Sequence, residues 1–289
     1  MSDFYVNNIY PQSVNILNLN GVKTKSINDS VYLGNQGNIP TTSGSVIIGC
    51  GAAVAVSGSE NVAVGKNAML YSTTGSVNVA VGSSSGLNIT TGLGNTFIGS
   101  TSGQNVSTGD LNTCIGQQAG SGLGSVARSN TMIGSNTGFG NSGQITGEGN
   151  TCIGINSNVS SNSANYEFTL GSQVNVLRCQ QTSITSLSDA RDKKEIEELP
   201  VGLDFVKGLK PVKFVWDERD ENGRHDIKDF GFIAQDLKKS QEDAELSETL
   251  KLVYEENPEK LEASYGKLIP ILVKAIQELT AKVEALEAK

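Results

Sequence analysis

NVAVGKNAMLYSTTGSVNVAVGSSSGLNITTGLGNTFIG, residues 61–99, holds one phrase three times: Asn, a short run of β-formers, then Gly. Working outward, the phrase ends at Gly49, Gly65, Gly82, Gly99, Gly116, Gly134 and Gly154, with looser copies at Gly34 and Gly171. Successive glycines are 15, 16, 17, 17, 17, 18, 20 and 17 residues apart. A short strand and a glycine corner, repeated at a near-constant interval, is the pattern of a parallel β-solenoid. Glycine supplies the positive φ that a recurring corner needs. Asn61, Asn78, Asn95, Asn112, Asn130 and Asn150 share one register, four before the glycine, so stacked coils would form an asparagine ladder. Val64, Val81, Ile98, Ile115, Ile133 and Ile153 share another and are expected to stack inside the coil. A disordered Gly/Ser-rich linker is the competing reading, but a linker has no need of a hydrophobic phase kept over nine copies.

The chain has 289 residues and a net charge of −8, enough length for two domains. No stripe of Lys and Arg exists to track phosphates, so nucleic acid is not an expected partner. No apolar run of about 18 residues is present and the first residues lack a basic and apolar leader, so neither membrane insertion nor export is expected. Cys50, Cys114, Cys152 and Cys179 are far apart, which offers no metal site and reads as small buried hydrophobes. No cofactor is expected. Between repeats the few charges include Asp110, Glu148 and Glu167, too sparse for the paired carboxylates of a glycan-cleaving spike.

At Ser188 the chemistry changes from nearly uncharged to a dense mixture of acids, bases and hydrophobes. Ile196 and Leu199, followed by Leu203, Val206 and Leu209, predict a short amphipathic helix. Val212, Phe214 and Trp216 predict a half-buried strand, Asn222-Gly223 a hairpin turn, and Phe230 with Phe232 a second strand running into a helix. Trp216 and the phenylalanines are expected in the core. Tyr265, Ile269, Leu272, Ile276, Leu279, Val283 and Leu286 follow heptad spacing, with Ser264 as N-cap and Pro270 in the helix's first turn. Ile and Val at a with Leu at d lean towards a two-stranded coiled coil. The expected organisation is an N-terminal segment 1–30 suited to attachment, repeats over 31–187, and a second domain over 188–289 ending in a coiled coil at 264–289.

The repeats resemble those of trimeric viral tail fibres and of trimeric bacterial adhesin heads. A narrow coil buries little apolar surface alone, and three chains side by side would cover one face of each. Whether each coil is a single-chain β-roll or part of an intertwined triple β-helix stays open. Taken in order, "LSDARDKKEI", "LKPVKFVWD", "DFGFIAQDL" and "SYGKLIPILVKAIQELTAKVEAL" resemble the endosialidase-type intramolecular chaperone, a self-cleaving C-terminal module of phage tailspikes and fibres. The resemblance implies a trimeric domain that nucleates folding of the upstream β-structure and then cuts itself off. By position it implies Ser188 as nucleophile and Lys193 as base, with Asp189, Arg191 and Lys194 beside them and a cut at Leu187–Ser188 or Ser188–Asp189. A serine hydroxyl needs a base, and a lysine serves once burial or a neighbouring cation depresses its pKa. Lys193 and Lys194 are adjacent, so the sequence does not decide which is the base. His225, in the expected hairpin loop, suits a solvated or core-edge role.

The implied function is that of a homotrimeric viral fibre or tailspike, assembled in the host cytoplasm and carried on the virion without its released chaperone. Its other partners would be baseplate or capsid proteins and a host receptor or glycan. The alternative keeps the second domain as a permanent, uncut trimerisation clamp.

Overall fold

The computed structural model describes residues 17–19, 22–27, 30–34, 42–140, 143–171, 186, 188–219 and 224–289. The chain divides into two compact units, Met1–Val174 and Asn175–Lys289.

The first unit is one sheet of 11 strands taken in sequence order. Strands β1 (Leu17–Leu19), β2 (Val22–Ile27) and β3 (Ser30–Gly34) form an antiparallel meander. From β3 onward every pairing is parallel: β4 (Val46–Ile48), β5 (Val62–Val64), β6 (Val79–Val81), β7 (Thr96–Ile98), β8 (Thr113–Ile115), β9 (Thr131–Ile133), β10 (Thr151–Ile153) and β11 (Phe168–Leu170). Each coil is made by a single chain. The expected solenoid is therefore present as a single-chain roll, and segment 1–30 contributes β1, β2 and the first residue of β3 to its sheet.

Two registers hold the coils. Glycines ending the strands β4 to β9 have φ between +130° and +137°, a region closed to side chains. Space closes the same position: a Cβ on Gly99 would stand 2.3 Å from the Gly116 carbonyl oxygen in the next coil. The asparagines form the second register, all fully buried. Asn78, Asn95, Asn112 and Asn130 each donate from backbone and side-chain nitrogen to Oδ1 of the asparagine one coil earlier, at 2.9–3.3 Å. Ser30 and Ser45 open this ladder, and the Glu167 amide closes it on Asn150 Oδ1 at 3.0 Å.

The inside of the coil differs from the sequence expectation. Side chains alternate along a strand, so a buried Asn fixes the parity of the residues after it. The middle residues Ile47, Ala63, Ala80, Phe97, Cys114 and Met132 are fully buried, while Ile98, Ile115 and Ile153 are over a third exposed. Val64, Val81 and Ile133 are half-buried on that same outer face. The predicted inner stack therefore lies outside. Inside, large and small residues trade volume across one coil: the Phe97 ring occupies the space a Cβ on Gly103 would need, at 2.4 Å. Cys114 and Cys152 are buried as expected, Cys50 is exposed, and Cys179 lies outside the described residues.

Among its described residues the second unit packs four α-helices and two hairpins. Helix α1 (Leu203–Gly208) is shorter than expected and leaves Ile196 70% exposed. Strands β12 (Val212–Asp217) and β13 (His225–Gly231) pair antiparallel, with the Asn222-Gly223 turn outside the described residues. Helices α2 (Ala234–Asp243) and α3 (Ser247–Leu250) follow, then a small hairpin of β14 (Val253–Tyr254) and β15 (Glu262–Ala263), and α4 (Leu268–Glu287). The core gathers Leu237, Leu250, Leu252, Val253, Leu268 and Ile271, with Phe205 and Phe232 partly buried against it. Phe230, expected in the core, is 83% exposed. Trp216 is half-buried between Phe214 and the Arg224 guanidinium, which stands 3.4 Å above its ring.

Helix α4 uses a face that the heptad spacing did not indicate. Leu268, Ile271 and Ala275 are buried in the unit, whereas Ile269, Ile276 and Leu286 of the seam are at least 62% exposed. Ser264 precedes a 3-10 turn, Tyr265–Lys267, that leads into α4, and its side chain makes no capping bond. Pro270 sits in the first turn of α4, where its missing N–H costs nothing. Among the described residues no helix is long and apolar enough to cross a membrane.

Candidate functional site

The junction at Ser188 is organised by a tight turn. Asp189 caps the 3-10 turn Ala190–Asp192, its Oδ1 accepting the Arg191 amide at 2.9 Å. The same carboxylate takes the Arg191 guanidinium in a fork, through Nε at 3.0 Å and a terminal nitrogen at 2.6 Å. The Arg191 guanidinium and amide hold the Asp189 carboxyl below the usual carboxylate range, and the same contact raises Arg191. Lys193 closes the turn, its amide donating to the Ala190 carbonyl at 3.2 Å. The reversal carries the Lys193 side chain back to Ser188. Its Nζ donates to Ser188 Oγ at 2.6 Å and to the Ser188 carbonyl at 3.2 Å.

The structure thus brings Ser188 together with Lys193, and Asp189 with Arg191. Lys194 turns to Glu195, 3.9 Å from its Oε1. Leu187 lies outside the described residues. Every residue from Ser188 to Glu198 is exposed. His225 opens β13, with Nδ1 2.9 Å from Asp217 Oδ1. Among the described residues no group of three or more His, Cys, Asp or Glu gathers as a metal site.

Long-range contacts fix the chain downstream of the turn. Lys274 of α4 donates to Glu198 at 2.9 Å, holding the Glu198 carboxyl below its ordinary range. Glu278 of α4 accepts the Leu203 amide at 2.8 Å, and its carboxylate lies where a Cβ on Gly202 would fall, at 2.4 Å. Tyr265 acts similarly on the "DFGFIAQDL" phrase. Its hydroxyl accepts the Phe232 amide at 3.1 Å and leaves no room for a Cβ on Gly231. The sequence carries no local signal for these contacts, since the partners lie 33 to 76 residues apart.

A serine hydroxyl in contact with an amine is the minimal pairing of nucleophile and base. The first unit is a repetitive solenoid, and the pairing stands at the start of a small α/β unit. The family model described as chaperone of endosialidase, a family named as a peptidase, matches residues 188–246. The match begins at Ser188 and ends with Leu246, before α3 and the C-terminal helix. No curated protein and no solved structure matches the chain.

Proposed function

We propose that the chain is a viral tail-fibre or tailspike-type protein whose second unit trimerises, chaperones the solenoid and then releases itself by a single self-cleavage. The observation that carries this reading is the start of the chaperone-of-endosialidase match at Ser188, the residue whose Oγ meets the Lys193 amine. The exposed apolar seam of α4 supports self-association, since an uncovered heptad face is what a partner helix takes up, while the number three rests on the chaperone-of-endosialidase match.

In the proposed step Lys193 acts in its neutral form. Its Nζ takes the Ser188 Oγ proton as Oγ attacks the Leu187 carbonyl carbon. The Leu187–Ser188 C–N bond breaks, the proton passes to the Ser188 nitrogen, and Leu187 is left as an ester on Oγ. Water then opens the ester, giving a Leu187 carboxylate and a free Ser188 amine. Asp189 and Arg191 would hold the turn and need not touch the reacting atoms. A cut after Ser188 is the variant of this step that the N-terminus of the smaller fragment distinguishes. Once cut, the solenoid trimer would be kinetically trapped, unfolding more slowly than an uncut variant.

Retention as an uncut clamp is the second reading, favoured by the exposure of residues 188–198. A solvated amine is a poor base near neutral pH. The test is the denatured mass of wild type beside Ser188→Ala and Lys193→Ala. Self-cleavage gives fragments of 187 and 102 residues, about 20 and 11 kDa of the 30.4 kDa chain, absent from both variants. A single full-length band from a folded trimeric wild type supports the clamp. Attachment to baseplate or capsid proteins, virion location and recognition of a host receptor or glycan belong to the same proposal.

A further inference from the structure

Between β5 and β6 the chain returns through residues 66–77, and this segment departs from its neighbours at three points. The first is Met69. Its place in the coil is fixed by a bond from the amide three residues on: Ser72 to the Met69 carbonyl at 3.0 Å, as Ile89 to Gly86, Val106 to Gly103 and Leu123 to Gly120 at 3.1–3.2 Å. The later coils put glycine there, at φ between +55° and +65°, whereas Met69 holds φ +52° with its side chain fully buried. A side chain in that region is strained. The second point is Ser72. Its counterparts Val56, Ile89, Val106 and Leu123 are buried aliphatics, and Ser72 is buried among them. Among the described residues, Ser72 Oγ is the one buried side-chain polar atom without a hydrogen-bond partner. The third is Val77, 55% exposed at φ +60° just before the ladder asparagine, where the next coil has Gly94. Thr101, the other β-branched residue at positive φ among those described, recovers a bond from its hydroxyl to the Ser100 carbonyl at 2.7 Å. Val77 has no hydroxyl with which to do so.

The two ends of the segment are firmly held. Asn78 donates from backbone and side-chain nitrogen to Asn61 Oδ1 at 3.0 and 3.3 Å, and β5 pairs with β6 along its whole length. In a stack whose stability is a sum of local and nearest-neighbour contributions, a return segment carrying three unfavourable ones opens before its neighbours do. We propose that residues 66–77 form a flap that opens from the solenoid while β5 and β6 stay paired, bringing Met69 and Ser72 to solvent. Opening frees both strained backbones and gives Ser72 Oγ water to bond, so all three anomalies favour the open state. Burial of Met69 opposes it, together with amide bonds to the next coil, Met69 to the Ser85 carbonyl at 3.0 Å and Tyr71 to the Leu87 carbonyl at 3.1 Å. The flap is therefore closed at rest and open in a minor population. It is a property of the solenoid and stands apart from the chaperone reading.

The test uses the native full chain and its own internal control, Met132 of β9, which is as fully buried as Met69. Dilute hydrogen peroxide oxidises a reachable thioether to the sulfoxide and is itself reduced to water. Peptide mass spectrometry should find Met69 oxidised at least about tenfold faster than Met132, and hydrogen exchange should run faster over residues 67–77 than over β5, β6 or the next return at 84–94. Ser72→Val with Val77→Gly restores the residues of the neighbouring coils. This double variant should slow oxidation of Met69 by about tenfold and leave Met132 unchanged. Rates for the two methionines within about threefold of each other would mean that both report unfolding of the whole solenoid, which overturns the proposal. Exchange in β5 and β6 as fast as in the flap overturns it too, as does a folded double variant whose Met69 oxidises no more slowly. The wild-type comparison decides the matter even where the double variant fails to fold.

Discussion

Replacing Asn95 by Ala tests the ladder at its centre. The side chain is fully buried and bonds in both directions along the solenoid. Its Oδ1 accepts the Asn112 amide and side chain, both at 3.0 Å, while its Nδ2 donates to Asn78 Oδ1 at 3.1 Å and to the Gly109 carbonyl at 2.8 Å. Alanine strips the Asn112 amide and the Gly109 carbonyl of these partners in a place water does not reach. Each buried group so orphaned costs about 1–3 kcal/mol, giving roughly 2–6 kcal/mol for the pair. At about 2–4 °C per kcal/mol for a unit of this size, the midpoint should fall by roughly 4–24 °C. Thermal unfolding followed by circular dichroism reads the fall, and hydrogen exchange should show the Asn112 amide losing protection. Asn105→Ala is the comparison: that half-buried side chain gives one bond, at 2.6 Å to the Ser121 carbonyl, worth about 1 kcal/mol. Asn95→Asp should be worse than Ala at neutral pH, because it places a carboxylate beside a carbonyl and another Oδ1 in a dry site. Burial raises that carboxyl's pKa, so the penalty is full at neutral pH and recedes on acidification. A midpoint for Asn95→Ala within about 2 °C of wild type, with Asn112 still protected, would refute the ladder as a source of stability.

Gly99→Ala meets both a φ of +130° and a carbonyl 2.3 Å from the new Cβ, so it should cost more than about 4 kcal/mol, read as insolubility or a collapsed midpoint. Burial pushes the Cys152 thiol up to about 11 and moves Cys114 in the same direction, so at pH 8 alkylation followed by site-resolved mass spectrometry should label Cys50 far faster than either. The sign for stability comes from the same shift. Unfolded thiols ionise near ~8.5 while Cys152 stays protonated to about 11, so the solenoid should weaken as pH rises through that window. Tyr265→Phe removes the hydroxyl that accepts the Phe232 amide, and denaturant unfolding should show a loss of about 1 kcal/mol with the ring packing retained.

The repeating glycines and asparagines made the solenoid legible, because both act through backbone geometry that recurs at a fixed interval. Which side chains fill the coil was not legible, for a physical reason. Hydrophobicity alone places the larger apolar residues, Val64 and Ile98 among them, inside. Yet the interior is narrow enough to be filled by Ala63, Ala80 and Cys114, and parity from the buried Asn settles the matter. The heptad spacing marked an apolar stripe that stays exposed on α4, but periodicity did not reveal that α4 buries a second face through Leu268 and Ile271. At the junction, the sequence paired Ser188 with Lys193 only through the family resemblance; the Asp189-capped turn that joins them was not read from it. The grips of Lys274, Glu278 and Tyr265 on that unit were not, since nothing in a linear pattern pairs Gly202 with Glu278 or Gly231 with Tyr265.

The intervals between glycines vary from 15 to 20 residues, yet the strands stack row upon row without a slip. The strand of each row, from Asn to Gly, fits within five residues, and the remaining residues return the chain while adding buried side chains such as Met69, Ile89, Val106 and Leu123. Length in the return segment drifts by a few residues from coil to coil, while the number of rows is a separate, countable quantity. Excising one unit, such as the 17 residues that separate Gly82 from Gly99, would rejoin like to like and shorten the rod by about 4.8 Å. The reach of this molecule can thus be lengthened or trimmed in discrete steps by duplicating or deleting short in-frame pieces, with no new contact to invent.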